Sequence, residues 1–306
     1  MRIVIAGSSG FLGGHLMPTL RANGHDVVRL VRRTPARPDE VRWNPAEGEV
    51  DAEVLGTADA VINLAGANIN EHRWTDEFKA TLRSSRVEPT HTLATAIAGL
   101  PADRRPGVLL NASAVGWYED TGDHPVTEDG PAGTGFFAEL SRAWEAATEP
   151  ASVAGVRVVR MRTGFPLASD GGLLKPMLLQ FRLFAGGRLG DGRQYVPWIS
   201  MPDWLGAVRF LLDRSDLSGP VNLTGPEPVT NATLSDALGH LLHRPAFWPI
   251  PRAALRVALG ELGGEAVVSQ RILPGVLTSA GYEFRHSTVE SALRHAVTRE
   301  EFPDAR

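Results

Sequence analysis

The chain opens with a pattern that restricts its fold more than any other feature. Arg2–Ala6 (RIVIA) is a short apolar run; it ends on Gly7-Ser8-Ser9-Gly10-Phe11-Leu12-Gly13, after which Leu12, Leu16 and Leu20 recur at helical spacing. A buried strand, a glycine turn and a helix in direct succession make the first half of a βαβ unit. The helix is expected over Phe11–Asn23, with Gly24 able to take the left-handed conformation that closes a helix and Pro18 as an awkward interior residue. The spacing G-x-x-G-x-x-G has a physical purpose in this setting. It lets a diphosphate approach the backbone where free N–H groups and the helix dipole favour an anion, and its third glycine allows close packing of helix on strand.

The same alternation continues. Asp26–Val31, Asp59–Leu64, Val108–Ala112 and Val156–Met161 read as strands, with helical stretches near 75–98 and 135–154 between them. This predicts an α/β chain of the Rossmann type, a doubly wound parallel sheet covered on both faces. Beyond about residue 164, glycines at 171–172, 186–187 and 190–192 break the pattern. Helices are expected at 202–213 and 234–242, a strand at 221–223, and short helices over 251–297. We therefore expect a nucleotide-binding domain over 1–165, with returning segments around 195–225, and a small C-terminal α+β lobe over 166–306.

Composition narrows the function classes. A net charge of −4 argues against a nucleic-acid partner, and the absence of cysteine excludes disulfides and thiolate metal sites. The nine histidines show no paired metal motif, so no metal site is expected. No apolar run approaches the length of a membrane span, and the opening run is too short for a secretion signal, so the expected location is the cytoplasm. Lys79 and Lys175 are the sole lysines, a compositional bias toward arginine from which no function is read.

The glycine loop, through Gly7, Ser9, Gly10, Phe11, Leu12 and Gly13, points to a dinucleotide. A site for NAD usually ends its second strand on Asp or Glu, which grips the ribose 2′-hydroxyl. Here the second strand runs into Arg32-Arg33. Guanidinium forks match phosphate oxygens, so NADP(H) is the expected cofactor.

With these residues in place the chain resembles the extended short-chain dehydrogenase/reductases, and most closely their atypical "epimerase family protein" branch. The motifs that carry the resemblance are Gly7–Gly13, Asn63-Leu64-Ala65-Gly66, Asn111-Ala112-Ser113-Ala114-Val115-Gly116-Trp117-Tyr118, Arg162-Thr163-Gly164, the loop 186–194 with Trp198-Ile199, Asn222–Pro226, and the tail segments 270–274 and 280–284. The resemblance implies a Rossmann domain with a small C-terminal lobe. It places Leu64, Ala65 and Gly66 on the adenine side of the cofactor, Arg86 near the nicotinamide ribose, and Arg162 among the cofactor-binding residues.

The chain departs from that family where the chemistry is done. Short-chain reductases place Tyr and Lys one helical turn apart as Y-x-x-x-K, with a serine beside them. Here the three tyrosines, Tyr118, Tyr195 and Tyr282, are followed four residues later by Gly122, Ile199 and His286, and the helix where the motif belongs reads Phe136–Ser141 (FFAELS). Ser113 stays as a catalytic candidate, Tyr118 is the candidate replacement acid, and Arg193 and Tyr195 are candidate substrate contacts in the glycine-rich loop. Glu145 and Glu149 read as a solvated helix face, His91 as packed or exposed, and Trp74, Trp144, Trp198, Trp204 and Trp248 as anchors. Two readings stay open: an NADP(H)-dependent oxidoreductase or epimerase-like enzyme with a non-standard catalytic set, acting on an unknown small molecule, or a non-catalytic NADP(H)-binding sensor or scaffold. A homodimer is the candidate assembly.

Overall fold

The computed structural model describes residues 1–246, 249–265 and 267–298. Trp248, expected as an anchor, lies outside the described residues. In chain order the strands and α-helices are β1 (Arg2–Ala6), α1 (Phe11–Ala22), β2 (Asp26–Val31), β3 (Glu40–Arg42), α2 (Ala52–Gly56), β4 (Ala60–Asn63), α3 (Asp76–Gly99), β5 (Val108–Ala114), α4 (Phe136–Ala146), α5 (Glu149–Val153), β6 (Arg157–Thr163), β7 (Phe165–Leu167), α6 (Leu174–Arg182), β8 (Tyr195–Val196), β9 (Trp198–Ser200), α7 (Met201–Asp213), β10 (Gly219–Leu223), β11 (Val229–Thr230), α8 (Asn231–Leu242), α9 (Arg252–Leu259), α10 (Leu262–Glu265), α11 (Gly275–Ser279) and α12 (Val289–Thr298).

Seven strands form one sheet in the order β3-β2-β1-β4-β5-β6-β10. The pairs β1·β2, β1·β4, β2·β3 and β4·β5 are parallel, in a register that sets Ile3 opposite Ala60 and Asn63 opposite Asn111. This is the doubly wound order, and its direction reverses between β1 and β4, the position at which open α/β sheets bind ligands. The strands are apolar on both faces because helices cover both: Val4, Val28, Val61 and Leu109 pack with Leu93 and Ile97 of α3 and Ala151 of α5.

The chain divides into two compact units that interleave along the sequence. The first comprises Met1–Trp117, Ala132–Arg162 and Val208–Val221; the second comprises Tyr118–Pro131, Thr163–Ala207 and Asn222–Arg306. In the second, β7 pairs with β9 in parallel and β8 with β11 antiparallel, over a core of Leu174, Phe181, Trp198, Leu234, Leu238 and Leu293.

Two local departures have clear causes. The helix expected over 135–154 is two helices, because Thr148 and Pro150 interrupt it: Pro150 opens α5 at a first-turn position, where its missing N–H costs nothing. Pro18 does stand inside α1, on its exposed side, where water can serve the carbonyl it leaves without a partner. The short strand β3 was not expected from the sequence.

Candidate functional site

The glycine loop lies at the switch between β1 and β4. Gly7 adopts φ +80°, and a Cβ there would fall 2.5 Å from the Leu64 carbonyl carbon, so the segment that follows β4 leaves no space for a side chain. A Cβ on Gly13 would fall 2.3 Å from the Gly7 carbonyl oxygen. Gly10 differs: its nearest neighbour would be the Gly7 oxygen at 3.4 Å, an ordinary contact, and Gly10 is exposed. Internal packing thus demands glycine at 7 and 13 but not at 10, where the backbone faces open space. Gly10 is the N-cap of α1 and gives no side-chain cap, so the first N–H groups of a 12-residue helix open onto this cradle. Ser9 is exposed beside it, Phe11 and Leu12 are half-buried, and Phe11 stacks edge-on against His15 with ring centres 5.4 Å apart.

The arginine pair at the end of β2 is divided between two tasks. Arg33 forks onto Glu40, with bonds of 2.6 and 2.8 Å, and Glu40 also takes a 2.5 Å bond from Arg29 and a 2.7 Å bond from the Ala36 amide. The Arg33 fork, aided by that amide, draws the Glu40 carboxyl from 4.5 to about 2. Arg32 is exposed and makes no hydrogen bond or ion pair among the described residues. Of the two expected phosphate partners, Arg32 is therefore the free one, while Arg33 is tied down by a carboxylate that the sequence reading overlooked.

On the other side of the switch, the segment 64–67 is held from below. Asn63 Oδ1 accepts from the Ala65 amide at 3.1 Å, while its Nδ2 donates to Asn111 Oδ1 at 2.7 Å and to Thr90 Oγ1 at 2.9 Å. Trp144 Nε1 also donates to Thr90 Oγ1, at 3.0 Å. Leu64 and Ala65 are half-buried and Gly66 is exposed. Arg86 donates to the Leu82 and Ala67 carbonyls, each at 3.0 Å, and its guanidinium lies 5.2 Å from the Trp144 ring. Burial lowers its pKa to about 10. Expected as a ribose contact, Arg86 works here as a brace on the 64–67 segment.

Ser113, near the end of β5, belongs to a cluster that the sequence reading did not assemble. Its Oγ donates to Glu145 Oε1 at 2.7 Å; Arg162 donates Nε to the same oxygen at 2.8 Å and a terminal nitrogen to Oε2 at 3.0 Å. Trp117 stacks on the Arg162 guanidinium at 3.9 Å. Ser113, Glu145 and Arg162 are each 3% exposed. This corrects two expectations. Glu145 is not part of a solvated face, because α4 turns it onto β6, while Glu149 is exposed as expected. Arg162 directs its fork to a buried carboxylate instead of an open cofactor surface. The signal that could have found Glu145 is Trp144 beside it, an apolar position at which the helix must face inward.

The remaining candidates lie in the second unit. Tyr118 is 2% exposed and donates its hydroxyl to Asn222 Oδ1 at 2.8 Å, so the expected replacement acid is a buried, bonded phenol with no proton at an open face. The Asp123 carboxylate beside Tyr195 raises its pKa and keeps the phenol protonated, and Arg271 covers its ring at 4.9 Å. Arg193 is exposed, and its guanidinium has no hydrogen bond or ion pair among the described residues. His91 is exposed; Trp74, Trp144, Trp198 and Trp204 are buried. No helix among the described residues is long and apolar enough to cross a membrane.

Comparison with known proteins agrees with this architecture. Residues 3–164 match the NAD dependent epimerase/dehydratase family, and residues 250–296 match a domain of unknown function, DUF1731. An epimerase family protein of Mycobacterium leprae is 46% identical over 298 residues, covering 97% of this chain and 96% of the relative. The Homo sapiens epimerase family protein SDR39U1 is 35% identical, covering 97% of this chain and all of its own length. Among solved structures, that of human SDR39U1 (isoform 2) with NADPH superposes with a TM-score of 0.88 at 31% identity, over 97% of this chain and 99% of the other. A nucleoside-diphosphate sugar epimerase from Corynebacterium glutamicum superposes with a TM-score of 0.81 at 33% identity, over 99% of this chain and 59% of the other. The strand order, the glycine cradle and these likenesses, extending over nearly the whole chain, place it in the NAD-dependent epimerase/dehydratase family, among the epimerase family proteins, with a DUF1731 match over residues 250–296.

Proposed function

We propose that the chain binds NADP(H) through its first unit and is an oxidoreductase or epimerase-like enzyme acting on a small molecule with a non-standard catalytic set. The observation that carries the cofactor reading is the Gly10 cradle: a helix start without a side-chain cap, whose middle glycine the packing of the described residues does not require, next to an exposed Arg32 at the end of β2 that has no partner among the described residues. The structural likeness to human SDR39U1, solved with NADPH, supports the phosphorylated form of the cofactor. The N–H groups of α1 would receive the diphosphate, Arg32 the 2′-phosphate, and Leu64–Gly66, braced by Asn63 and Arg86, the adenine side. A bound nicotinamide supplies hydride transfer; the chain supplies Ser113 at the edge of β5, with its hydroxyl oriented by Glu145. Arg193 is the proposed clamp for an anionic group on the substrate.

Fluorescence titration with NADPH and NADH tests the cofactor assignment. NADPH should bind at least tenfold more tightly than NADH. Arg32→Ala should weaken NADPH by about 10- to 100-fold, the worth of a charge-assisted hydrogen bond, with little effect on NADH. Absence of binding by either nucleotide to folded protein would refute the proposal.

One observation favours the second reading, a sensor or scaffold that holds NADP(H) without turnover. Where the family's Tyr belongs, α4 presents Phe136 and Phe137, packed edge-on against Trp74 with ring centres 5.3 and 4.9 Å apart, and four residues on, where its Lys belongs, stand Leu140 and Ser141. NADPH consumption across a carbonyl panel, or NADP⁺ reduction across an alcohol panel, decides for the enzyme.

A further inference from the structure

Ser113 has one proton to donate, and Glu145 receives it. The Glu145 carboxylate is 3% exposed, held by both Arg162 bonds and lies 4.0 Å from Arg160 Nε. A carboxylate paired in this way accepts hydrogen bonds only, so the 2.7 Å contact from Ser113 Oγ is donated by the serine. What Oγ retains is its lone pairs.

The place of Ser113 in the sheet gives this polarity a consequence. Asn111 is in register with Asn63, the last residue of β4, so Ser113 stands two residues past the carboxyl end of the neighbouring strand, on the edge where open α/β sheets receive ligands. A free serine there would offer a donor and an acceptor alike, and could polarise a carbonyl. This one offers an acceptor in a nearly water-free setting, where a single hydrogen bond discriminates well.

We propose that Glu145 is a positioning residue that sets the polarity of the substrate site: by holding the Ser113 proton, it makes the site select a ligand hydroxyl, as in a secondary alcohol, over the corresponding carbonyl. The inference rests on the reading of the first unit as a dinucleotide-binding domain.

Its test uses a matched pair, cyclohexanol and cyclohexanone, titrated by saturation-transfer NMR into the full chain saturated with a tetrahydronicotinamide analogue of NADP that cannot transfer hydride. The wild type should bind the alcohol about tenfold more tightly than the ketone, the effect of one hydrogen bond. Glutamine is no clean probe here, because Oε1 accepts from both Ser113 Oγ and Arg162 Nε and an amide oxygen kept there would still hold the serine proton; in Glu145→Ala the Ser113 hydroxyl loses that acceptor. That frees the serine proton to point outward, and the preference should fall to parity or invert. A merely structural role for Glu145 would weaken both probes together and leave their ratio unchanged. Ser113→Ala gives an independent arm: the alcohol should weaken to the level of the ketone, with the ketone unchanged. Thermal melting shows whether each variant is folded; if Glu145→Ala is not, the serine variant decides alone. Equal binding of the two probes by the wild type, a ketone preference, no binding of either, or an unchanged ratio in the folded variants would overturn the proposal. NADPH titration of the wild type separates the two levels: failure to bind the dinucleotide removes the functional reading, whereas a bound dinucleotide without alcohol preference removes only this inference.

Discussion

Adjacent residues of one type do not share one role in this protein. Arg32 and Arg33 are neighbours with the same side chain, yet Arg33 is neutralised by Glu40 and Arg32 is not. The pair Arg33–Glu40 makes a prediction about pH. The folded carboxyl of Glu40 is depressed to about 2 from 4.5, chiefly by the Arg33 fork. A depressed carboxyl contributes stability that is present above its unfolded value and is lost as pH falls through the folded one. The melting temperature of the wild type should therefore exceed that of Glu40→Gln by a constant margin above pH 5, and the margin should shrink as the pH is lowered from about 4.5 toward 2. A margin independent of pH over that interval would show that the pairing contributes nothing through charge. Arg33→Ala should lower stability as well, because it leaves a covered carboxylate with fewer donors.

Within an element, the glycines of the first loop act through different physics, and two substitutions separate them. Gly13→Ala forces a methyl to within 2.3 Å of a carbonyl oxygen, and relief requires moving α1 off β1. The expected cost is about 1–3 kcal/mol of unfolding free energy, as for other overpacked positions, read by denaturant unfolding. Gly10→Ala meets only a 3.4 Å contact and should leave stability within about 0.5 kcal/mol while weakening NADPH at least tenfold. A Gly10→Ala protein that binds NADPH normally would mean the cradle is not a phosphate site. The elements themselves were legible where the pattern was local. The period-2 and period-3.6 runs of β1, α1, β2, β4, α3 and β5 are written in consecutive residues, and the doubly wound sheet follows from their alternation. Glycines 7, 10 and 13 were legible as a group, though the sequence could not distinguish those that packing requires from the one it does not. The Ser113–Glu145–Arg162 cluster was not legible as a cluster. Its members lie on β5, α4 and β6, and a carboxylate at helical spacing reads as solvated until the neighbouring strand is known to carry its arginine. Tyr118 failed for the same reason, since its partner Asn222 is 104 residues away.

For the molecule as a whole, the interleaving of the two units bears on how it unfolds. All the groups proposed to hold the dinucleotide, from Gly7 to Arg86, belong to the first unit, so the ligand stabilises that unit directly. At a concentration 100 times the dissociation constant, mass action adds about 2.7 kcal/mol to the folded state. Whether the second unit shares that gain depends on cooperativity. Three elements are divided between the units: β6 between Arg162 and Thr163, α7 between Ala207 and Val208, and β10 between Val221 and Asn222. Melting one unit alone would require breaking α7 and β10 within their length and fraying the last residue of β6, which leaves backbone groups without partners. The two units should therefore unfold in one transition. Native-state hydrogen exchange measures this directly: saturating NADPH should raise the protection of core amides in β1 and β4 by about a hundredfold and raise that of α8 and α12 by the same factor. If the increase is confined to the first unit, the units unfold separately and the divided elements act as hinges.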